Sequence, residues 1–327
     1  MKNVLLVGFG SIGNKHAQAI QEIEGLNLTS IVDPYQNNTY KPAENYSTLE
    51  AFFNSESKAD IASICTPNSM HAAQAIACME HGMDVLIEKP MAIDKRDAER
   101  VIATSLKTNR QVFCVMQLRY SPIVVWLKDI LSQGQLGDIF SVEVRCFWNR
   151  NENYYQAEKN EYQWRGSLDG DKGPLYTQFS HFVDLIYYLF GDWKVEHAAF
   201  NNFNHQSFTE FEDSGRIIFD VDKISGLFSY TTSVFEKNYE STITLIGSQG
   251  TIAIGGQYFN QIRYTHPDSL KKLDQSVIDK YSSDRLAGHK AIYENVINVL
   301  DAKHPITTNA LDGLKVVEMI EDVYARR

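Results

Sequence analysis

The stretch "VLLVGFGSIGNKHA", residues 4–17, decides the fold, because an apolar run passes through a glycine-rich turn directly into a helical pattern. Each glycine of the GxGxxG spacing has a mechanical reason. Gly8 allows a tight turn, Gly10 lets the backbone approach a pyrophosphate, and Gly13 lets the helix pack closely on the strand. The phosphates would then meet backbone N–H groups at the helix N-terminus, although a glycine turn without a ligand is the alternative. The predicted dinucleotide contacts in this loop are Gly8, Phe9, Gly10, Ser11, Ile12 and Gly13.

Asp33 ends the second apolar run, 20 residues beyond Gly13. A carboxylate at this place accepts hydrogen bonds from the adenosine ribose hydroxyls and repels a 2′-phosphate. No arginine follows within residues 34–36 to accept such a phosphate. The spacing therefore favours NAD over NADP as the cofactor, although an aspartate in a turn needs no ligand.

Up to about residue 120, short apolar runs alternate with helical patterns such as 69–81 and 94–108. This alternation indicates a parallel sheet covered on both faces, and we predict a doubly wound α/β Rossmann domain that binds NAD at residues 1–120. Beyond it, strands follow one another without helices between them, which indicates a mostly antiparallel sheet. Residues 121–327 are predicted to form an α+β domain with a large open sheet, for substrate binding and oligomerisation. The apolar runs of the first domain are residues 4–7, 30–33, 61–66, 85–88 and 112–116.

Composition argues against several classes of partner. The 327 residues carry a net charge of −10, whereas nucleic acid or an anionic membrane would need a basic face. No apolar run reaches the ~20 residues that cross a bilayer. The four cysteines are dispersed in apolar stretches with no CxxC pair, so we expect small hydrophobic side chains in a reducing compartment rather than disulfides or metal ligands. These observations predict a cytoplasmic protein without a metal.

The stretch "DVLIEKPMA", residues 84–92, ends an apolar strand with two opposite charges, which are expensive beside a core. If a dinucleotide crosses the strand ends, Lys89 lies where hydride moves, and partial desolvation there lowers the pKa of a lysine. Lys89 is therefore predicted to transfer the alcohol proton or to polarise the substrate oxygen. Glu88 is expected to orient backbone or ribose, and Pro90 fixes the turn in a cis or a trans form. From composition alone, a surface lysine at a strand end fits equally well.

Five motifs follow one another along the chain: GxGxxGxxHA at 8–17, CTPNSMH at 65–71, EKP at 88–90, RYSP at 119–122 and HxxD at 181–184. This series resembles the Gfo/Idh/MocA oxidoreductase family over essentially the whole chain. The resemblance implies that Lys89 is the catalytic lysine and that the nicotinamide side of the site is lined by Thr66, Pro67, Asn68 and His71. For His71, a histidine bonded locally at a helix start is the alternative. Further cofactor contacts are predicted from Glu88, Lys89 and Gln117.

Residues 175–190 are predicted to form one helix, within the stretch "GPLYTQFSHFVDLIYYLFG". Thr177, His181 and Asp184 fall on one side of it and aromatic residues on the other, so the polar stripe would face solvent or a cleft. The family resemblance implies that His181 faces the substrate and shares proton transfer with Lys89. Many family members carry aspartate four residues before this histidine, where Thr177 contributes only a hydroxyl as a hydrogen-bond contact. Asp184 is expected to orient a neighbour or to be a structural partner.

Aromatic residues, arginines and asparagines are concentrated between residues 148 and 176. Aromatic faces stack on sugar rings, while Arg and Asn bind hydroxyls or carboxylates. Some of these aromatic residues would alternatively belong to an edge strand or a subunit interface. We therefore expect a sugar, a sugar acid or a nucleotide-sugar as substrate. The predicted substrate contacts are Lys89, Arg119, Tyr120, Tyr155, Trp164, Arg165, Thr177 and His181.

Three functions are compatible with these residues. The favoured one is an NAD-dependent dehydrogenase of sugars. The second is an enzyme that retains NAD and uses transient oxidation for epimerisation, elimination or glycoside cleavage. The third is a non-catalytic dinucleotide-binding regulator, which has no use for an acid–base pair such as Lys89 and His181. An exposed face of the second sheet would pair subunits into a homodimer or homotetramer.

Overall fold

Two β-sheets organise the chain, which a computed structural model describes over residues 1–35, 40–156, 164–257, 259–270 and 272–327. The strands of the first sheet are β1 (Lys2–Val7), β2 (Leu26–Val32), β3 (Glu44–Tyr46), β4 (Ile61–Ile64), β5 (Asp84–Ile87) and β6 (Val112–Cys114). All of them are parallel, in the order β3-β2-β1-β4-β5-β6. Residues 4–7 have no exposed surface, as expected of a strand covered on both faces. The predicted doubly wound parallel sheet is confirmed.

The strand order of this sheet reverses between β1 and β4. Open α/β sheets bind their ligands at such a reversal, beyond the carboxyl ends of the strands. The loops after β1, β4 and β5 carry the glycine turn, Thr66 and Lys89, so the fold brings three predicted cofactor segments to one edge. The helices that accompany these strands are α1 (Ser11–Glu22), α2 (Leu49–Phe53), α3 (His71–Glu80) and α4 (Lys95–Thr108).

The second sheet is mixed but mostly antiparallel, as predicted. Its strands are β7 (Ile139–Phe147), β8 (Lys194–Asn201), β9 (Ser214–Val221), β10 (Ile224–Thr231), β11 (Glu240–Gly247), β12 (Thr251–Gly255) and β13 (Gln261–His266). They lie in the order β13-β12-β11-β7-β10-β9-β8, and among these described strands β7 and β10 form the parallel pair. Sequence analysis missed β13 because no residue of this edge strand is buried, so it lacks the apolar alternation that marks a strand.

The predicted single helix over residues 175–190 is wrong, because two helices occupy this stretch. The N–H groups of Gln178 and Phe179 both bond to the carbonyl of Pro174, at 2.8 and 2.9 Å, which closes the first helix before the second begins. The remaining helices are α5 (Pro122–Ser132), α6 (Glu152–Gln156), α7 (Pro174–Thr177), α8 (Ser180–Phe190), α9 (Gln275–Ser283), α10 (Ala287–Leu300) and α11 (Ala310–Tyr324).

The chain forms two compact units, and the boundaries differ from the predicted domains. The first unit contains Met1–Gln117 together with Leu286–Glu318, and the second contains Leu118–Arg285 together with Met319–Arg327. The later segment joins the first unit through β6, where Cys114 N–H donates to Thr308 O at 2.9 Å and the Thr308 hydroxyl donates to Cys114 O at 2.7 Å. The division of roles between an NAD-binding and a substrate-binding domain stays a prediction.

None of the four cysteines, all of which lie in the described ranges, forms a disulfide, and Cys78, Cys114 and Cys146 are buried. Cys65 is half-buried at the end of β4, with its sulfur 3.7 Å from the Ser63 hydroxyl oxygen. Along the described ranges, no helix combines the length and the apolarity that a membrane crossing needs.

Candidate functional site

The glycine loop after β1 leaves room for a ligand at one glycine only. A Cβ on Gly8, whose φ is +91°, would lie 2.9 Å from the Cys65 backbone, and a Cβ on Gly13 would lie 2.1 Å from the Gly8 oxygen. A Cβ on Gly10 would meet no atom within 4 Å. The N-cap residue of α1 is Gly10 itself, which supplies no capping side chain. Open space beside uncapped N–H groups fits the pyrophosphate of a dinucleotide.

Asp33 holds the glycine loop in place. One carboxylate oxygen accepts a hydrogen bond from the Phe9 N–H at 2.7 Å, and the other accepts one from the Tyr35 N–H at 2.9 Å. These backbone bonds fix the Asp33 carboxylate beside the glycine loop. The neighbouring Phe9 ring is buried, whereas Ser11 and Ile12 are exposed.

His71, the first residue of α3, is buried and held by backbone at both ring nitrogens. Nδ1 lies 2.7 Å from the carbonyl of Pro90, and Nε2 lies 2.7 Å from the carbonyl of Thr66. Burial lowers the pKa of His71, against the opposing effect of these carbonyls. The ring therefore ties the end of β4 to the turn after β5, which contains the cis Lys89–Pro90 bond. Pro67 and Asn68 lie in the short turn that connects β4 to α3.

Glu88 is the centre of a buried network that sequence analysis did not foresee. Its Oε2 accepts a hydrogen bond from the Lys89 N–H at 3.0 Å, and its Oε1 lies 3.1 Å from His16 Nε2. His16 Nδ1 lies 2.8 Å from the Tyr293 hydroxyl, which in turn lies 2.9 Å from the Ser63 hydroxyl. The Lys89 backbone is therefore connected through two side chains to a tyrosine on α10.

The His16–Glu88 pair is charged. Burial by itself disfavours both charges, but Cys65, Tyr293 and Glu88 outweigh it at His16 and raise the pKa of this imidazole well above its ordinary value. At Glu88, the hydrogen bond and charge of His16 outweigh burial, so the pKa of the carboxyl is well below its ordinary value. An imidazolium then donates to a carboxylate, in a buried ion pair that each partner makes tolerable for the other.

His289 completes this cluster with a third titratable group. Its Nε2 lies 4.0 Å from Glu88 Oε1 and has no hydrogen-bond partner among the described residues. Burial, followed by the charge of His16, lowers the pKa of His289 to about 4. The donor atoms of His16, Glu88 and His289 lie within 4.8 Å of one another, a spacing compatible with a metal ion. The protonated Nε2 of His16 offers no lone pair to a metal, so we interpret the cluster as an ion pair beside a neutral histidine.

In the second unit, Arg119 and Asp184 form a buried bidentate salt bridge. Arg119 Nη2 lies 2.6 Å from Asp184 Oδ1, and Arg119 Nε lies 3.0 Å from Oδ2. The guanidinium also lies 4.7 Å from the Tyr188 ring centre. Arg119 was predicted to contact substrate, whereas these contacts hold its guanidinium against α8. Asp184 is the structural partner that was one of its two expected roles.

Of the two surroundings expected for the polar stripe of this segment, solvent or a cleft, the structure contradicts solvent. Thr177 and His181 are each 7% exposed, and Asp184 is fully buried. The aromatic side is buried too, with Phe179 and Phe182 packed on Trp148 at ring-centre distances of 5.3 and 5.7 Å. Helix periodicity could not reveal this, because the partner that lets Asp184 enter the interior comes from a distant segment.

A buried carboxylate that sequence analysis missed supports Thr177. The Thr177 hydroxyl donates to a carboxylate oxygen of Asp171, and the other oxygen accepts a hydrogen bond from the Gly166 N–H at 3.0 Å. Asp171 is only 1% exposed. The Thr177 hydroxyl therefore has a buried carboxylate directly behind it.

The aromatic residues predicted to contact substrate divide into two groups. Tyr155 is a core residue, because it is buried against the rings of Phe208 and Phe211. Trp164 and Arg165 are half-buried members of a stack in which two guanidiniums lie against aromatic rings. We call this stack the arginine–aromatic ladder; its members are Trp148, Arg150, Tyr154, Arg165 and Trp164. Tyr120 is half-buried at the end of a short turn that begins with Gln117.

Comparison with known proteins identifies both parts of the chain. Residues 2–116 match the family model described as "Oxidoreductase family, NAD-binding Rossmann fold", and residues 124–253 match the "GFO/IDH/MocA C-terminal domain". The structure superposes with a TM-score of 0.91 and 28% identity on the WlbA dehydrogenase from Bordetella pertussis in complex with NADH and UDP-GlcNAcA, over 99% of this chain and 95% of that one. These matches confirm the predicted NAD-binding Rossmann fold.

Two curated relatives are similar over part of their length. The chain is 30% identical to 4-carboxy-2-hydroxymuconate-6-semialdehyde dehydrogenase of Sphingobium sp., over 58% of this chain and 59% of that protein. It is 26% identical to glucose-6-phosphate 3-dehydrogenase of Bacillus subtilis, over 58% of this chain and 54% of that protein. The chain therefore spans less than two thirds of the length of either relative.

Proposed function

The chain belongs to the Gfo/Idh/MocA oxidoreductase family, and we propose that it transfers a hydride between NAD and a hydroxyl or keto carbon of a sugar, sugar acid or nucleotide-sugar. The observation that carries this proposal is the setting of Lys89. The residue is half-buried directly after β5, and its backbone N–H is bonded to the buried Glu88 carboxylate. A lysine fixed at the carboxyl edge of a parallel sheet suits proton transfer beside a nicotinamide.

The residues of the first unit suit NAD, which when bound supplies the hydride acceptor. The open space at Gly10 and the uncapped start of α1 suit the pyrophosphate, and Asp33 suits the ribose. Gln117 Oε1 is buried without a hydrogen-bond partner among the described residues, which supports a polar contact with a ligand. The remaining proposed cofactor contacts are Phe9, Ser11, Ile12, Thr66, Pro67, Asn68 and His71.

Lys89 and His181 are the proposed proton-transfer residues. Lys89 Nζ takes or gives the proton at the substrate oxygen, and the His181 imidazole shares this task. The Thr177 hydroxyl is the proposed hydrogen-bond contact, oriented by Asp171 behind it. Arg119 is proposed as a positioning residue, because its guanidinium holds the helix that carries His181.

A substrate screen tests this function. NAD is mixed with the protein and with sugars, sugar acids and nucleotide-sugars, and NADH is followed by absorbance; acid-released NAD is assayed in the purified protein. We expect steady-state accumulation of NADH with at least one sugar. Substrate conversion with NAD retained and no net NADH would instead support transient oxidation. If neither conversion nor NAD binding occurs, the proposal is wrong.

The outer face of the second sheet is the proposed subunit contact. One cross-strand row on this face contains Ile218, Leu227, Glu143, Thr244, Ala253 and Tyr264. Two of its residues, Ile218 and Tyr264, are 45% and 53% exposed. Apolar side chains exposed across a sheet mark an interaction surface, and a homodimer or homotetramer would cover them. Light scattering that shows a monomer would contradict this assignment, and the cytoplasmic location likewise stays a prediction.

A further inference from the structure

Arg150, which follows β7, is a half-buried cation held entirely by neutral groups. Its Nε donates to the Gln178 side-chain oxygen at 2.7 Å. Its Nη1 donates to the Asn149 carbonyl at 2.6 Å and to the Asn238 side-chain oxygen at 3.1 Å. Within the described ranges, no carboxylate forms a salt bridge with Arg150, and its Nη2 makes no hydrogen bond. A desolvated charge without a counter-ion is costly unless a ligand supplies one.

The Arg150 guanidinium is fixed in orientation as well as unneutralised. It lies 4.9 Å from the Trp148 ring centre and 5.2 Å from the Tyr154 ring centre. Trp148 is itself anchored by an indole N–H bond to the Ser241 hydroxyl at 2.9 Å, and Tyr154 OH accepts from the Gln178 amide at 2.7 Å. A guanidinium oriented before binding recognises a carboxylate or a phosphate at little entropic cost.

Charged groups of both signs act on the buried hydroxyl of Tyr154. Burial raises the pKa of Tyr154, Asp171 adds to this effect, and Arg165 and Arg150 oppose it. Two guanidiniums and one carboxylate thus act on the same ring. The carboxylate of Asp171 is bonded to Thr177 and Gly166, as described above, and forms no salt bridge with Arg150.

The ladder is connected to the proposed substrate contacts through one buried residue. Gln178, which bonds Arg150, directly follows Thr177 and comes three residues before His181. We infer that Arg150 binds an anionic group of the substrate, a carboxylate or a phosphate ester, and thereby determines specificity for acidic sugars or nucleotide-sugars. This inference deepens the proposed function and rests on it.

Equilibrium binding in the presence of NAD tests the inference. The probes, measured by isothermal titration calorimetry, are glucose, glucuronate, glucose 1-phosphate, UDP-glucose and UDP-glucuronate. We expect at least one charged probe to bind the native protein about 10- to 100-fold more tightly than glucose, the usual contribution of a charge-assisted bond. If glucuronate binds more tightly than glucose, the recognised group is the carboxylate. If glucose 1-phosphate or UDP-glucose binds more tightly than glucose, the recognised group is a phosphate.

Two variants separate the charge of Arg150 from its packing. Arg150→Gln removes the charge, and Gln178→Glu leaves the arginine in place but puts a carboxylate against its Nε. Both are expected to abolish the preference for the charged probe, while Arg150→Lys keeps part of it. Arg145→Gln is the matched control, because Arg145 lies on β7, five residues before Arg150, but is exposed and paired with Glu143. Thermal melts establish whether each variant is folded. If Arg150→Gln does not fold, the binding measurement relies on Gln178→Glu.

The inference is overturned if no charged probe binds the native protein more tightly than glucose, or if the preference survives in Arg150→Gln or Gln178→Glu. These outcomes are independent of turnover. Loss of the proposed function is read separately, from the absence of NADH formation and of NAD binding.

Discussion

Two buried charge pairs support the two proposed proton-transfer residues, and they differ in whether they can lose their charge. In the first unit, the His16 imidazolium faces Glu88, which also holds the Lys89 backbone. In the second unit, the Arg119 guanidinium faces Asp184 on α8. A guanidinium stays protonated at every pH a protein survives, whereas an imidazolium can release its proton. The charge of the pair that holds Lys89 can therefore change with pH, whereas the pair on the helix of His181 stays charged.

The largest effect is expected from Lys89→Met, which removes the group that the first pair positions. Turnover should fall at least about 10²-fold and up to about 10⁴-fold, the usual range for acid–base residues, with NAD affinity unchanged. Steady-state kinetics and NAD titration measure the two quantities. Lys107→Met is the matched control, since Lys107 is exposed on α4. Turnover at the native rate in Lys89→Met would remove this residue from the mechanism.

The two pairs should respond differently when the acid is neutralised. Asp184→Asn removes the carboxylate of the bidentate pair while Arg119 stays charged and buried, so we expect the free energy of unfolding to fall by about 3–5 kcal/mol. Glu88→Gln should cost less, about 1–3 kcal/mol, because His16 can become neutral and keep a hydrogen bond to the amide. Urea unfolding of both variants at neutral pH makes the comparison. If the free energy of unfolding falls equally or more in Glu88→Gln, His16 does not lose its proton when its partner is neutral, and the two pairs do not differ in this respect.

The pH dependence of stability sharpens the same contrast at His289. Its pKa in the folded protein, about 4, lies below the ordinary 6.5. Folding therefore favours the neutral form of His289. Its contribution to the free energy of unfolding is fully present above about pH 6.5 and is lost as the pH falls towards 4. The loss is on the order of 3 kcal/mol. We expect His289→Phe, which keeps a ring but cannot titrate, to lose less stability over this window.

Urea unfolding at several pH values between 4 and 6.5 measures this difference. His16 acts in the opposite direction, because its raised pKa contributes stability below about pH 6.5 that is lost as the pH rises through its folded value. Parallel stability curves for the native protein and His289→Phe between pH 4 and 6.5 would contradict the assignment of a neutral His289.

The smallest effect is expected at Asp33, at the other end of the proposed cofactor site. Asp33→Ala should weaken NAD binding about 10-fold, the contribution of one charged hydrogen bond, and should relax discrimination against NADP. Asp60→Ala is the control, because Asp60 also accepts a backbone N–H bond, from Asn3, but is exposed. A native protein that already binds NADP more tightly than NAD would contradict the interpretation of Asp33.

The first sheet and its glycine loop could be predicted because their signals are local. The spacing of Gly8, Gly10 and Gly13 predicts where two backbone segments approach each other closely. Apolar runs predict which strands are buried. The short β3 and the exposed β13 carry no such signal. The helix break at Gln178 was also missed, because it depends on which carbonyl two successive N–H groups select.

The side-chain partners in the candidate site could not be predicted, since they are distant in sequence. Tyr293 bonds His16 across 277 positions, and Asp184 bonds Arg119 across 65. A polar residue on a helix face becomes a buried partner or a solvated one according to what the other segment brings, and sequence spacing does not record this. Asp171 had one weak local signal, an acidic residue between two glycines close to Thr177.

The bonds between Cys114 and Thr308 join residues 194 positions apart. During synthesis, the backbone groups at the edge of β6 therefore stay unpaired with Thr308 until the ribosome has made the intervening residues 118–285 of the second unit. A chaperone that covers exposed strand edges would have its longest engagement there. Cutting the gene near codon 120 would yield a fragment that aggregates, whereas supplying residues 286–318 in trans should rescue its solubility.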